Sequence, residues 1–178
     1  MNKLLIRKGI YNMKSLKDFL NDLGARESGC NYKCINKYGY LGKYQMGEAA
    51  MVDCGYYKKN PPKYNNDWSG VFTGRDGVCS LADFLNSPTA QENAQIVFKK
   101  KQWGYLRAVG ADRYIDSVIN GYKITKSGML AAAHLKGTGA VIEYLKSGGK
   151  NIPIDGFGTS VETYMKKFAG YDVSFITG

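Results

Sequence analysis

A carboxylic acid withheld from water can keep its proton near neutral pH and give it to a leaving-group oxygen. Glu27 is spaced for that role: it lies four residues after Leu23, seven after Leu20 and eleven after Leu16. In a helix these spacings put it on the apolar stripe, at the negative end of the dipole. Desolvation and dipole both disfavour the ionised form, so its pKa should be raised. The competing outcome is a side chain frayed outward or paired with Arg26.

The elements that must position Glu27 follow from periodicity and caps. Ser15, with Asp18 three residues on, starts a helix to Ser28 whose buried face is Leu16, Phe19, Leu20 and Leu23, and Gly29 stops it. Cys30 to Met46 is rich in Tyr, Asn, Lys and Gly and reads as turns or a short hairpin. A short helix follows at Gly47 to Cys54, then a long surface loop from Asn60 to Val78. Ser80 caps Leu81 to Asn86, and Ser87-Pro88 opens a helix to about Leu106. Further helices are expected near Asp112 to Ile119, from Ser127 over Met129 to Lys136, and at Ala140 to Lys146 beyond a Gly137-Thr138-Gly139 break. A capping box at Thr159-Ser160-Val161-Glu162 precedes a last helix with Val161, Tyr164, Met165 and Phe168 on one face. The expectation is one mainly helical domain over residues 1–178 with a small irregular or β-rich insert.

Three segments in order carry a resemblance: Glu27-Ser28, then Gly42-Lys43-Tyr44-Gln45-Met46, then Ala133-His134-Leu135-Lys136-Gly137-Thr138-Gly139. Together they resemble the signature of the lysozyme-like superfamily, nearest the soluble lytic transglycosylases and goose-type lysozymes, including modules of phage tails and type VI secretion effectors. The stretch from Asp155 to Asp172 also looks like the closing helix of phage-type members. The resemblance implies a lysozyme-like fold and cleavage of the β-1,4 MurNAc–GlcNAc bond of peptidoglycan. Glu27 would be the general acid, and then the base in a transglycosylase. Ser28, Tyr44, Gln45, Met46 and His134 form the implied substrate-binding set. Ser28 would support the helix end or the glutamate, and Gln45 would meet the sugar N-acetyl group. His134 and Leu135 stand where the family has Tyr and Asn, so His134 is either a substrate contact or a filler beneath the groove.

A retaining hydrolase needs a second carboxylate about 5 Å from the acid, and an inverting one a wider gap with room for water. Glu48 and Asp53 are the candidates, though solvated or capping roles suit them better. Nothing between Ser28 and Glu48 is acidic. That fits a single-glutamate reaction in which the MurNAc hydroxyl attacks and leaves an anhydro end. An inverting muramidase with water held by Asn36 or tyrosines is the alternative. A non-catalytic peptidoglycan-binding or structural tail module is the reading from a different class.

Composition bounds the rest. With 25 Lys and Arg against 15 Asp and Glu, the net charge is +10, which favours a polyanionic partner. Fourteen tyrosines suit a carbohydrate groove. The basic residues are scattered and form no nucleic-acid motif, so a nucleic-acid partner is not expected. Neither a signal-peptide core nor a membrane span is present in the sequence; Leu4-Leu5-Ile6 is too short for either. Synthesis in the cytoplasm is expected, with delivery to the periplasm or wall by a phage or secretion apparatus, and a secretion effector would need an immunity protein. Cys30, Cys34, Cys54 and Cys79 allow three disulfide pairings. With His134 the only histidine, they lack zinc-site spacing. No metal or organic cofactor is expected.

Overall fold

The computed structural model describes residues 13–59 and 64–178. The run Leu4 to Ile6 and the stretch 60–63 of the expected long loop lie outside them. Helix α1 (Leu16–Ser28) begins at the expected capping box: Ser15 Oγ accepts from the Asp18 N–H at 3.2 Å, and Asp18 Oδ2 accepts from the Ser15 N–H at 2.9 Å. Phe19, Leu20 and Leu23 are buried, and Gly29 ends the helix in the left-handed conformation. The insert that follows is irregular, closed by single antiparallel bridges of Leu41 with Ile35 and with Met46.

Helix α2 (Glu48–Asp53) leads into a two-stranded antiparallel pair, β1 (Tyr57–Lys58) with β2 (Val71–Phe72). Helices α3 (Leu81–Asn86) and α4 (Pro88–Ala108) start at the expected caps, Ser80 and Ser87. The segment expected as a helix at Asp112 to Ile119 is different. A short 3-10 turn spans Ala111–Tyr114, and β3 (Val118–Ile119) then pairs with β4 (Tyr122–Lys123). The reason is Asn120-Gly121, both at positive φ, which is the chemistry of a tight hairpin turn.

Helix α5 (Lys126–Lys146) joins what the sequence reading split in two; only Gly137, at φ 82° and ψ 167°, leaves helical angles. Its cap is Thr125, not Ser127. Residues from Met129 to Ala133 are all buried, so this is the central helix. Gly128 lets it approach its neighbour, since a Cβ there would meet the Met165 carbonyl oxygen at 2.6 Å. A turn with an antiparallel bridge between Ile154 and Ser160 leads to α6 (Val161–Lys167). Ser160 caps α6, whereas Glu162 pairs with Lys166 at 2.7 Å instead of completing a capping box. A last turn, α7 (Ser174–Thr177), is fixed by the Trp103 indole N–H donating to the Thr177 carbonyl at 3.0 Å.

The fold is mainly α with small antiparallel pairs. Helix α5 packs on α4 and α6, and the buried side chains form one contiguous core. At one end Phe19 meets Phe168 and Tyr171 edge-on, with centroids 6.0 and 5.6 Å apart. Each such pair adds about 0.5–1.5 kcal/mol beyond area burial, so α1 is pinned to the C-terminal segment. No described helix is long and apolar enough to cross a membrane.

Candidate active site

Helix α1 ends against a cleft of about 1290 Å³, and Glu27 is part of its wall. The insert supplies Asn36, Tyr38, Tyr40 and Gln45 to the cleft, α5 supplies His134, Leu135 and Lys136, and the turn before α6 supplies Asp155, Phe157 and Thr159. A smaller recess of about 270 Å³ opens beside it, with Tyr40, Gln45, Tyr64, Asn66 and His134 bordering both.

Burial pushes the Glu27 carboxyl above its ordinary pKa. A hydrogen bond from the Tyr164 hydroxyl at 2.8 Å and the positive charges of Lys99 and Arg26 pull the other way, and Asp155 adds to the upward push. Desolvation dominates, because the charged form loses more hydration than one hydroxyl returns. An acid in that state, facing an open cleft, can donate a proton to a bound oxygen.

His134 donates from Nε2 to the Tyr44 carbonyl at 2.9 Å, so that nitrogen carries the proton. Nδ1 is then a buried acceptor without a partner among the described residues. Burial and the nearby Lys99 hold the ring's pKa well below the ordinary value, which makes His134 a neutral group. Lys99 lies beneath, fully buried, its amine bonded to Gln102 Oε1 at 2.8 Å and the Leu130 carbonyl at 3.1 Å. Burial drives its pKa well down.

The other expected site residues divide between cleft and frame. Gln45 borders the cleft at a positive φ of 47°, its amide donating to the Gly42 carbonyl at 2.9 Å. Met46 is buried and faces only the smaller recess. Ser28 and Tyr44 border neither. The Ser28 hydroxyl donates to the Lys43 carbonyl at 2.8 Å and accepts from the Asn31 N–H at 3.0 Å, stapling the end of α1 to the insert. Tyr44 is buried, its hydroxyl donating to Glu92 Oε2 at 2.6 Å. Ser28 thus supports the helix end, as the resemblance implied, while Tyr44 stands in the frame with its hydroxyl already bonded inside the protein.

That frame is dense. The buried Lys43 ammonium meets Glu92 Oε1 at 2.7 Å and Asn21 Oδ1 at 3.1 Å, and the Tyr32 hydroxyl donates to Glu92 Oε1 at 2.7 Å. Gly42 must be glycine: at φ 70°, a Cβ would fall 2.1 Å from Gln91 Oε1, which accepts from the Lys43 N–H. Of the two second-carboxylate candidates, Glu48 is wholly buried, accepting from Lys59 and from the backbone N–H groups of Asn65, Asn66 and Trp68. It anchors the loop after β1 and does not border the cleft, and neither does Asp53. Asn36 borders the cleft, but its Oδ1 is occupied by the N–H groups of Tyr38 and Tyr40 at 2.8 and 3.1 Å.

Sequence reasoning missed two residues. Tyr164 was counted as a core position; its signal was a phenol on an apolar face, which needs a partner for its hydroxyl. Asp155 carried only a turn signal, Asp-Gly-Phe-Gly. All four cysteines are free thiols. Among the described residues no three His, Cys, Asp or Glu side chains are grouped to hold a metal ion. Comparison of the chain with family models, with curated proteins and with solved structures returns no match.

Proposed function

We propose that the protein cleaves the β-1,4 bond between MurNAc and GlcNAc in bacterial peptidoglycan, with Glu27 as general acid on a lysozyme-like helical scaffold. The observation that carries the reading is a largely buried carboxyl, raised in pKa by that burial, at the wall of a cleft of about 1290 Å³. The cleft also has the mixed lining a sugar chain requires. Tyr38, Tyr40 and Phe157 offer flat apolar faces, while Gln45 and Thr159 offer polar atoms. Arg26, Lys37 and Lys136 border it with positive charge, suited to the anionic stem peptides of the wall.

In the reaction, the Glu27 carboxyl passes its proton to the glycosidic oxygen as the bond from MurNAc C1 breaks. The GlcNAc leaves with a free 4-hydroxyl, and Glu27 is left as carboxylate. This step is shared by hydrolysis and transglycosylation.

The test is mass spectrometry of soluble fragments released from purified peptidoglycan by the wild-type protein and by Glu27→Gln. Fragments from the wild type, reduced at least about a hundredfold in the variant, support the assignment. No fragments from either, with wall binding retained, would leave a peptidoglycan-binding module.

A further inference from the structure

We propose that Asp155 is the base that activates the attacking water, so that the protein hydrolyses the glycan with inversion instead of forming anhydro ends. The inference rests on the glycan-cleaving reading of Glu27. Asp155 is the other carboxyl bordering the cleft, and it is delivered by a different wall. Glu27 comes from the end of α1; Asp155 comes from the turn between α5 and α6.

That turn is held on three sides. Asp155 Oδ1 accepts from the N–H groups of Phe157 and Thr159 at 2.9 and 2.7 Å, closing the turn from within. Arg26, next to the acid, donates to Thr159 Oγ1 at 3.4 Å. Phe157 reaches the insert and meets Tyr38 edge-on, ring centres 5.8 Å apart. Asp155 is therefore placed relative to Glu27 by contacts to both other walls. Glu27 Oε1 takes its hydrogen bond from Tyr164 and Asp155 Oδ1 takes its own from the turn, so neither carboxyl is spent on the other. Two carboxyls on different walls of one cleft, neither bonded to the other, supply the acid and the base that an inverting hydrolase uses.

Glu27 gives its proton to the leaving oxygen. A water oxygen bonds to MurNAc C1 from the face opposite the departing group, and the water proton goes to the Asp155 carboxylate. The products are a reducing MurNAc end of inverted configuration and a GlcNAc 4-hydroxyl. Solvent then returns a proton to Glu27 and removes one from Asp155.

Asp155→Asn separates this role from turn closure, since the amide oxygen can still accept from Phe157 and Thr159. Wild-type protein, its variant and peptidoglycan are incubated with and without azide, and the fragments are weighed. Wild-type products should carry reducing MurNAc ends, one water heavier than anhydro ends. The variant should melt with the wild type, keep wall binding and lose at least about a hundredfold in turnover. Azide, a nucleophile that needs no base, should restore part of that turnover as glycosyl azide. Anhydro ends from the wild type, or a variant within about threefold of it, would overturn the assignment while leaving Glu27 in place. A variant that is inactive, unrescued and lower-melting would make Asp155 a turn cap only. Wild-type protein that releases nothing ends both readings.

Discussion

Glu92 and Glu27 are both partly withdrawn from water, yet their carboxyls are displaced in opposite directions. At Glu92 burial pushes the pKa up, but Lys43 and the hydroxyls of Tyr44 and Tyr32 outweigh it and the carboxyl ends below its ordinary value. At Glu27 burial wins against one tyrosine and two charges that are not bonded to it. The Glu92 carboxyl is ringed by partners, while the wall of the cleft is not. His134, on that wall, keeps its buried Nδ1 without a partner among the described residues. A polar group left short of partners costs stability and gains reactivity. The frame is thus the stabilising half of the molecule and the cleft the poised half.

The sharpest way to break this contrast is to make the frame unsaturated. Glu92→Gln keeps the shape but removes the charge facing Lys43, whose side chain is 3% exposed. A buried ammonium without its counter-charge should cost about 3 kcal/mol, read as a lower urea midpoint at pH 7. Adding Lys43→Met should recover part of the loss, because the orphaned charge goes with it. A loss under about 1 kcal/mol would mean that water reaches Lys43 and that the frame is no better satisfied than the cleft.

The opposite change at the cleft should have the opposite sign. Glu27 has a raised folded pKa, so its favourable contribution is present below the unfolded value near 4.3 and is lost as pH rises through the folded value. Above that, the ionised carboxylate destabilises the fold. Glu27→Gln is neutral at every pH and its amide oxygen can still accept from Tyr164. It should therefore melt above the wild type at pH 8, by about 2–4 °C for each kcal/mol relieved in a chain of this size. The two melting curves should converge below about pH 4. A variant less stable at pH 8 would show that Glu27 is satisfied like Glu92.

Much of the frame was legible in the sequence because it is local. The periodicity of Leu16, Phe19, Leu20 and Leu23 and the caps at Ser15, Ser80 and Ser87 set helix starts without reference to the rest of the chain. The hairpin at Val118–Lys123 has its own local signal in Asn120-Gly121, which the helical pattern around Asp112 masks. Gly137 was rightly singled out as an interruption, although α5 continues past it with a kink. The cleft was less legible because its members are far apart. Glu27 was found from its own helix face, whereas the Tyr164 hydroxyl reaches it across 137 positions. Tyr44 shows the converse: its motif neighbours suggest the groove, but Glu92 takes its hydroxyl.

The smallest change tests how finely the cleft acid is set. The Tyr164 hydroxyl donates to Glu27 and favours its ionised form, so it limits the rise that burial causes. Tyr164→Phe removes that donor and keeps the ring. The Glu27 pKa should then rise further, and the alkaline fall in kcat/KM on peptidoglycan should move to higher pH. Below that fall the rate should drop only several-fold, since one hydrogen bond to a carboxyl contributes about 1–2 kcal/mol and part of it is recovered as a better-protonated acid. Rates for both proteins across pH 4 to 9 give the answer. A fall that moves to lower pH, or stays in place, would mean that the hydroxyl orients the carboxyl without tuning it. The unsaturated state of the cleft would then rest on burial alone.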